Sequence, residues 1–170
     1  IKQCLVGSEM CIRDRDSMSM KQKYKTGEVL SPGTVIISAT AEVSDVSKCV
    51  EPFFKKFNSN IYYIDMSSCV LNLGGSALMQ SNNKIGNKSN DILNAKYFKK
   101  VFNVIQKLIT DEKIYSGHDV SSGGLITTIL EMSFVSSGIG LELFLNEFDE
   151  NDLIKILFAE NHALVLEAEK

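Results

Sequence analysis

The chain has 170 residues, enough for one domain core or for pieces of two. Hydrophobic residues make up 44% and charged residues 23%, and the formal charge of −3 gives no electrostatic reason to expect nucleic acid or an anionic membrane as partner. No apolar run approaches the roughly 20 residues of a membrane span and no signal-like leader opens the chain, so a cytoplasmic protein is expected.

The opening IKQCLVGSEMCIRDR fits poorly with the rest of the chain. Its portion from Cys4 to Arg15 resembles the translation of a sequencing-adapter read, so residues 1–15 are set aside from fold reasoning, and the chain is expected to begin in the middle of a protein. Cys4, Cys11, Cys49 and Cys69 form no CxxC pair and have no histidine at zinc-site spacing, which predicts reduced, partly buried packing thiols. Asp16, Ser17 and Ser19 precede Lys21, Lys23 and Lys25, a run that reads as a solvated edge.

Pro32 and Gly33 make a turn into residues 34–43, whose β-branched content predicts a buried strand. Residues 44–57 carry apolar residues at helical spacing, but Pro52 interrupts them, leaving a short helix or irregular turn. Residues 61–66 read as a second strand. The pair Gly74-Gly75 is expected to follow a strand and open a helix toward a ligand, or to serve only a tight turn. Residues 81–91, dense in Asn, Ser, Lys and Gly, predict an exposed loop.

Asn94 can cap a long amphipathic helix whose buried face carries Phe98, Phe102, Ile105 and Ile109. A short strand is predicted at 114–116, a helix at 125–134, and a strand at 139–145. Asp149 or Asn151 can start a helix running through Leu157, and a last strand is predicted at 163–168. His162, in the loop before that strand, has no partner signal. Strands alternating with helices give an α+β class, an α/β-like sandwich.

The segment SGHDVSSGGL carries the chemistry. A strand ends at a carboxylate, Asp119, and two hydroxyls and two glycines lead into a helix. Magnesium prefers carboxylate oxygen and shares its other positions with water and phosphate. The first N–H groups of a helix lack intrahelical partners and attract anions, and Gly123 and Gly124 have no Cβ to obstruct a phosphate. Asp119 for Mg2+ and Ser121 for bound phosphates is coherent, with His118, Gly123 and Gly124 as weaker contacts. An ordinary N-cap has the same composition, so the residues alone leave both readings open.

Four stretches in order, DSMSMKQKY at 16–24, SPGTVIISATAEVSDVSKCVEPFFK at 31–55, LGGSALMQ at 73–80 and SGHDVSSGGLITTILEMSF at 116–134, resemble the synthetase core of the phosphoribosylformylglycinamidine synthase family in its large single-chain form; FAENHALVLEAE at 158–169 fits the same pattern. The resemblance implies an ATP-dependent ligase of purine synthesis. Such an enzyme phosphorylates the amide oxygen of formylglycinamide ribonucleotide to an iminophosphate, which ammonia from glutamine then attacks. Matched motif to motif, Asp119 is the family's magnesium-binding aspartate and Ser121 its ATP-contacting serine. The resemblance also implies that residues 16–57 end an AIR-synthetase-type N-terminal domain, and that 58–170 form most of the matching C-terminal domain, a mixed sheet packed by helices.

The core of that family has two related halves, with an active and an auxiliary nucleotide site, and Asp119 falls in the second half. Ser122 and Met79 depart from the family's usual residues, and IGNKSNDI lacks a usual proline. The earlier nucleotide-binding carboxylates, the catalytic histidine and the Cys-His-Glu glutaminase triad match nothing here. The expectation is therefore a fragment, inactive alone, whose partners are nucleotides, the rest of the parent synthetase and its glutaminase domain. The alternatives are another ATP-binding member of the AIR-synthetase superfamily, or a structural domain that keeps the fold without nucleotide.

Overall fold

Residues 21–30, 40–43, 45–56, 58–135, 138 and 140–169 are described by the computed structural model of the chain, which divides into two units, Ile1–Val46 and Ser47–Lys170. In the first, β1 (Lys21–Tyr24) pairs antiparallel with β2 (Gly27–Leu30). Lys23 and Lys25 are exposed, as a solvated edge requires. Residues 1–20, with Cys4, Cys11, Asp16, Ser17 and Ser19, lie outside the described residues, as do Pro32, Gly33 and most of the strand expected at 34–43; its described end, 40–43, has no regular structure.

The second unit is organised by its last strand. β3 (Asn60–Asp65) and β4 (Ile114–Asp119) both pair antiparallel with β5 (Ala163–Ala168), giving the order β3-β5-β4. A single parallel bridge, Glu51 with Ser116, lies on the β4 edge. Among the described residues four helices accompany the sheet: α1 (Ala77–Ser81), α2 (Ala95–Thr110), α3 (Gly124–Phe134) and α4 (Leu153–Phe158). This is the expected α+β class, with the regular strands antiparallel.

Alternation along β5 splits the core in two. Ala163 and Val165 join Val120, Leu125, Ile129 and Met132 in one cluster, which includes the side chains of α3 and α4. Leu166 joins Ile105 and Ile114 in the other, against which Phe98, Val101, Phe102, Leu108 and Ile109 of α2 pack. The sheet is thus covered by α2 on one face and by α3 and α4 on the other. Asn94 caps α2 as expected, its side chain accepting the Tyr97 N–H at 3.0 Å, a contact worth about 1 kcal/mol.

Four expectations are corrected, the first being that Asp152, rather than Asp149 or Asn151, caps the helix through Leu157, its side chain accepting the Ile154 N–H. Residues 140–144 form no strand, and Leu145–Glu147 is a 3-10 turn; Leu141, Leu145 and Phe148 pack on the core at three-to-four spacing, which no strand can present to one side. Residues 66–73, ahead of Gly74, form a loop rather than a strand. Cys69 is half-buried, but Cys49 is exposed rather than packed. Within 44–57 the helical spacing yields only a 3-10 turn, Val46–Lys48.

Candidate functional site

Asp119 is the last residue of β4, and its side chain is 70% exposed. The next residue, Val120, is buried and donates its N–H to the Ala163 carbonyl at 2.9 Å, so the chain turns while still anchored to β5. Ser121 and Ser122 follow, both exposed, and the Gly124 N–H closes the turn on the Ser121 carbonyl at 3.0 Å. A carboxylate and two hydroxyls therefore face solvent immediately ahead of α3. His118 Nδ1 donates to the Asp119 carbonyl at 2.8 Å, and its Nε2 lies 3.6 Å from Glu131.

The glycines have local reasons to be glycines. Gly123 (φ +93°) and Gly124 (φ +76°) are both left-handed, and a Cβ on Gly124 would sit 2.7 Å from the Leu157 oxygen and from Phe158 backbone atoms. The start of α3 thus touches the end of α4 directly. Gly74 repeats the arrangement: its N–H bonds the Lys88 carbonyl at 2.7 Å, and a Cβ would fall 2.0 Å from that oxygen. Of the two sequence readings for Gly74-Gly75, the tight turn describes their packing, and Ser76 then caps α1.

Sequence reasoning missed Glu160. Its Oε1 accepts the Gly123 N–H at 2.8 Å and the Ala77 N–H at 2.7 Å, joining the two glycine motifs. It sits between α4 and β5 with no local pattern to mark it. The neighbouring Asn161 is buried and donates to the Tyr63 hydroxyl at 2.6 Å and to Asp65 at 3.0 Å. Burial pushes the Tyr63 phenol up to about 12, against the lowering effect of its bond to Asn161, with the nearby Asp65 charge adding to the rise. The backbone carbonyl of His162 accepts the Met66 N–H at 2.9 Å.

Glu167, on β5, is fully buried. Oε1 accepts from the Lys56 N–H at 2.9 Å and Ser59 Oγ at 2.6 Å; Oε2 accepts from the Lys55 N–H at 2.9 Å and Ser116 Oγ at 2.7 Å. Burial alone would raise its pKa, but the bonds from Ser59, Ser116, Lys55 and Lys56 outweigh it and hold the carboxyl below the usual glutamate range.

Among the described residues no group of three His, Cys, Asp or Glu side chains could hold a metal ion by itself. A single exposed carboxylate beside two hydroxyls suits a cation that completes its shell with water and phosphate, as magnesium does. Two open cavities lie apart from it. One, about 680 Å³, is lined by Gly74, Met79, Lys84, Lys88 and Lys155 among others; the second, about 330 Å³, by Tyr63, Asp65, Cys69, Phe148 and Asn161 among others. No helix among the described residues is long and apolar enough to cross a membrane.

Residues 61–169 match the family model described as AIR synthase related protein, C-terminal domain. Curated relatives extend the match. The chain is 39% identical over 160 residues to a probable chloroplastic/mitochondrial phosphoribosylformylglycinamidine synthase of Arabidopsis thaliana, covering 92% of this chain and 11% of the relative. It is 37% identical over 166 residues to a probable phosphoribosylformylglycinamidine synthase of Caenorhabditis elegans (90% and 12%). It is 35% identical over 158 residues to the phosphoribosylformylglycinamidine synthase of Homo sapiens (92% and 12%). The chain therefore spans about an eighth or less of the length of these relatives.

Proposed function

The chain belongs to the AIR synthase related protein family through its C-terminal domain, and on that premise we propose that it is part of a phosphoribosylformylglycinamidine synthase. The parent is a ligase of purine biosynthesis that converts formylglycinamide ribonucleotide, with ATP and glutamine-derived ammonia, to the amidine. This stretch contributes a magnesium–nucleotide half-site, while substrate turnover and ammonia supply belong to the rest of the synthetase and its glutaminase domain. Residues 16–57 end the N-terminal domain, and 58–170 form most of the C-terminal domain; the family match over 61–169 supports the second of these.

The observation that carries the site reading is the exposed carboxylate of Asp119 at a strand end, with exposed Ser121 and Ser122 directly before α3. Asp119 binds magnesium and Ser121 contacts the nucleotide phosphates; His118, Gly123 and Gly124 support them. Bound there, magnesium supplies charge neutralisation for a phosphate group. His118 orients the Asp119 peptide through its bond to the carbonyl. Because the Gly123 N–H is already bonded to Glu160, the phosphate contact falls mainly on the serine hydroxyls. A cytoplasmic location belongs to the same reading; fractionation that finds the protein in an organelle, as the name of the Arabidopsis relative describes for that protein, would overturn it.

Calorimetric titration of the full-length protein with Mg-ADP tests the site. Asp119→Ala is expected to weaken binding at least about tenfold, and equal affinity in both proteins would sink the metal assignment. The purified 170-residue chain is expected to form no amidine, and detectable turnover would overturn its reading as a partial site.

A further inference from the structure

Glu160 stands where an anion is expected. Its Oε1 accepts the N–H of left-handed Gly123 at the head of α3 and the N–H of Ala77, the first residue after the glycine-rich LGGS segment. The partners are 37 and 83 residues away in sequence, so one carboxylate oxygen ties three separate parts of the chain together. Each N–H group precedes or begins a helix, where the donor has no intrahelical acceptor and a negative charge is favoured. The other N–H groups around this turn are also committed to the protein: Val120 to the Ala163 carbonyl and Gly124 to the Ser121 carbonyl.

We propose that Glu160 is a positioning residue for the Asp119–Ser121 turn: its carboxylate supplies an internal anion that fixes Gly123 and holds the Gly74–Ala77 loop against the head of α3. Ser121 and Asp119 lie two and four residues before Gly123, on a turn also held by the Val120 N–H on the Ala163 carbonyl, the Gly124 N–H on the Ser121 carbonyl, and His118 and Thr128 on the Asp119 carbonyl. Releasing Gly123 removes one further hold, the one that reaches outside the turn to Glu160 and Ala77. The ligand consequence rests on the nucleotide reading of the site; the clamp itself does not.

Substitution separates charge from geometry. In Glu160→Gln the amide oxygen can still accept both N–H groups, whereas Glu160→Ala leaves neither a partner. Amide hydrogen exchange in the full-length protein is expected to quicken about tenfold at Gly123 and Ala77 in Glu160→Ala, and to stay within about twofold of wild type in Glu160→Gln. The dissociation constant for Mg-ADP is expected to follow the same pattern, rising about tenfold in the alanine variant with rescue by glutamine. Unchanged protection in Glu160→Ala overturns the clamp. Tighter Mg-ADP binding in that variant overturns positioning, since it makes Glu160 a competitor of phosphate.

Should the alanine variant not fold, Ala77→Pro removes one donor at a position where proline is tolerated. Ala77 opens α1, and Ser76 already has the extended ψ of 157° that a residue before proline adopts. Loosening one end of the shared bond is expected to lower Gly123 protection about threefold; no change at Gly123 overturns the linkage. If wild type and Asp119→Ala bind Mg-ADP equally, the nucleotide reading fails and the exchange data still decide the clamp.

Discussion

Asp119 and Glu167 lie on neighbouring strands, yet their carboxylates meet opposite surroundings. Glu167 has four donors on its two oxygens and no exposure, whereas Asp119 faces solvent with His118 at 3.4 Å. A buried carboxylate is tolerable only when its acceptor capacity is filled, and here the 55–59 segment and β4 fill it. An exposed carboxylate has lost no hydration and keeps its lone pairs available to a cation. Satisfied acceptors mark architecture, and an open carboxylate is what the proposed metal site requires.

The largest effect that would test this contrast is Glu167→Gln. The serine hydroxyls can turn to accept from the new NH2 group, but the backbone N–H groups of Lys55 and Lys56 cannot, so either amide orientation strands one of them. A loss of about 3 kcal/mol is expected by chemical denaturation; a loss below about 1 kcal/mol would remove Glu167 from the architectural role. Its pH dependence sharpens the point. The folded carboxyl titrates below its unfolded counterpart, so the stabilisation is complete above the ordinary glutamate range. Stability should fall as pH drops through the folded value, and that slope should flatten in Glu167→Gln.

Gly124→Ala comes next, at about 2–3 kcal/mol, because it combines a left-handed φ with a collision against the end of α4. Thermal unfolding measures it, and a neutral result would mean that α3 and α4 can part at no cost. Asp119→Ala is expected to move stability by less than about 0.5 kcal/mol, since no buried group depends on that carboxylate. A large loss there would erase the distinction between the two acids.

Much of the fold was legible because its signals are local. The limits of β5 agree with the mostly apolar run ALVLEA; α2 follows from its apolar stripe and the Asn94 cap; α3 starts one residue before the predicted limit. The strand expected at 139–145 failed because bulky apolar residues satisfied a composition rule while their burial followed a different spacing. At the site, Asp119 and Ser121 could be read from one contiguous segment. Glu160 could not, since its meaning comes from N–H groups 37 and 83 residues away. Glu167 carried a faint mark, a charge inside an otherwise apolar strand, but the four donors that make it tolerable lie on other segments.

The order β3-β5-β4 places the strand that comes third in sequence between the two that precede it. During synthesis, β3 and β4 leave the ribosome long before the segment that joins them, each with unpaired edges that favour association with other nascent chains. Ribosome-stalled chains ending before Ala163 should remain open to protease across 60–119, and chains extended well past Ala168 should become resistant. The position of one strand thus sets a delay in when this three-stranded sheet can form.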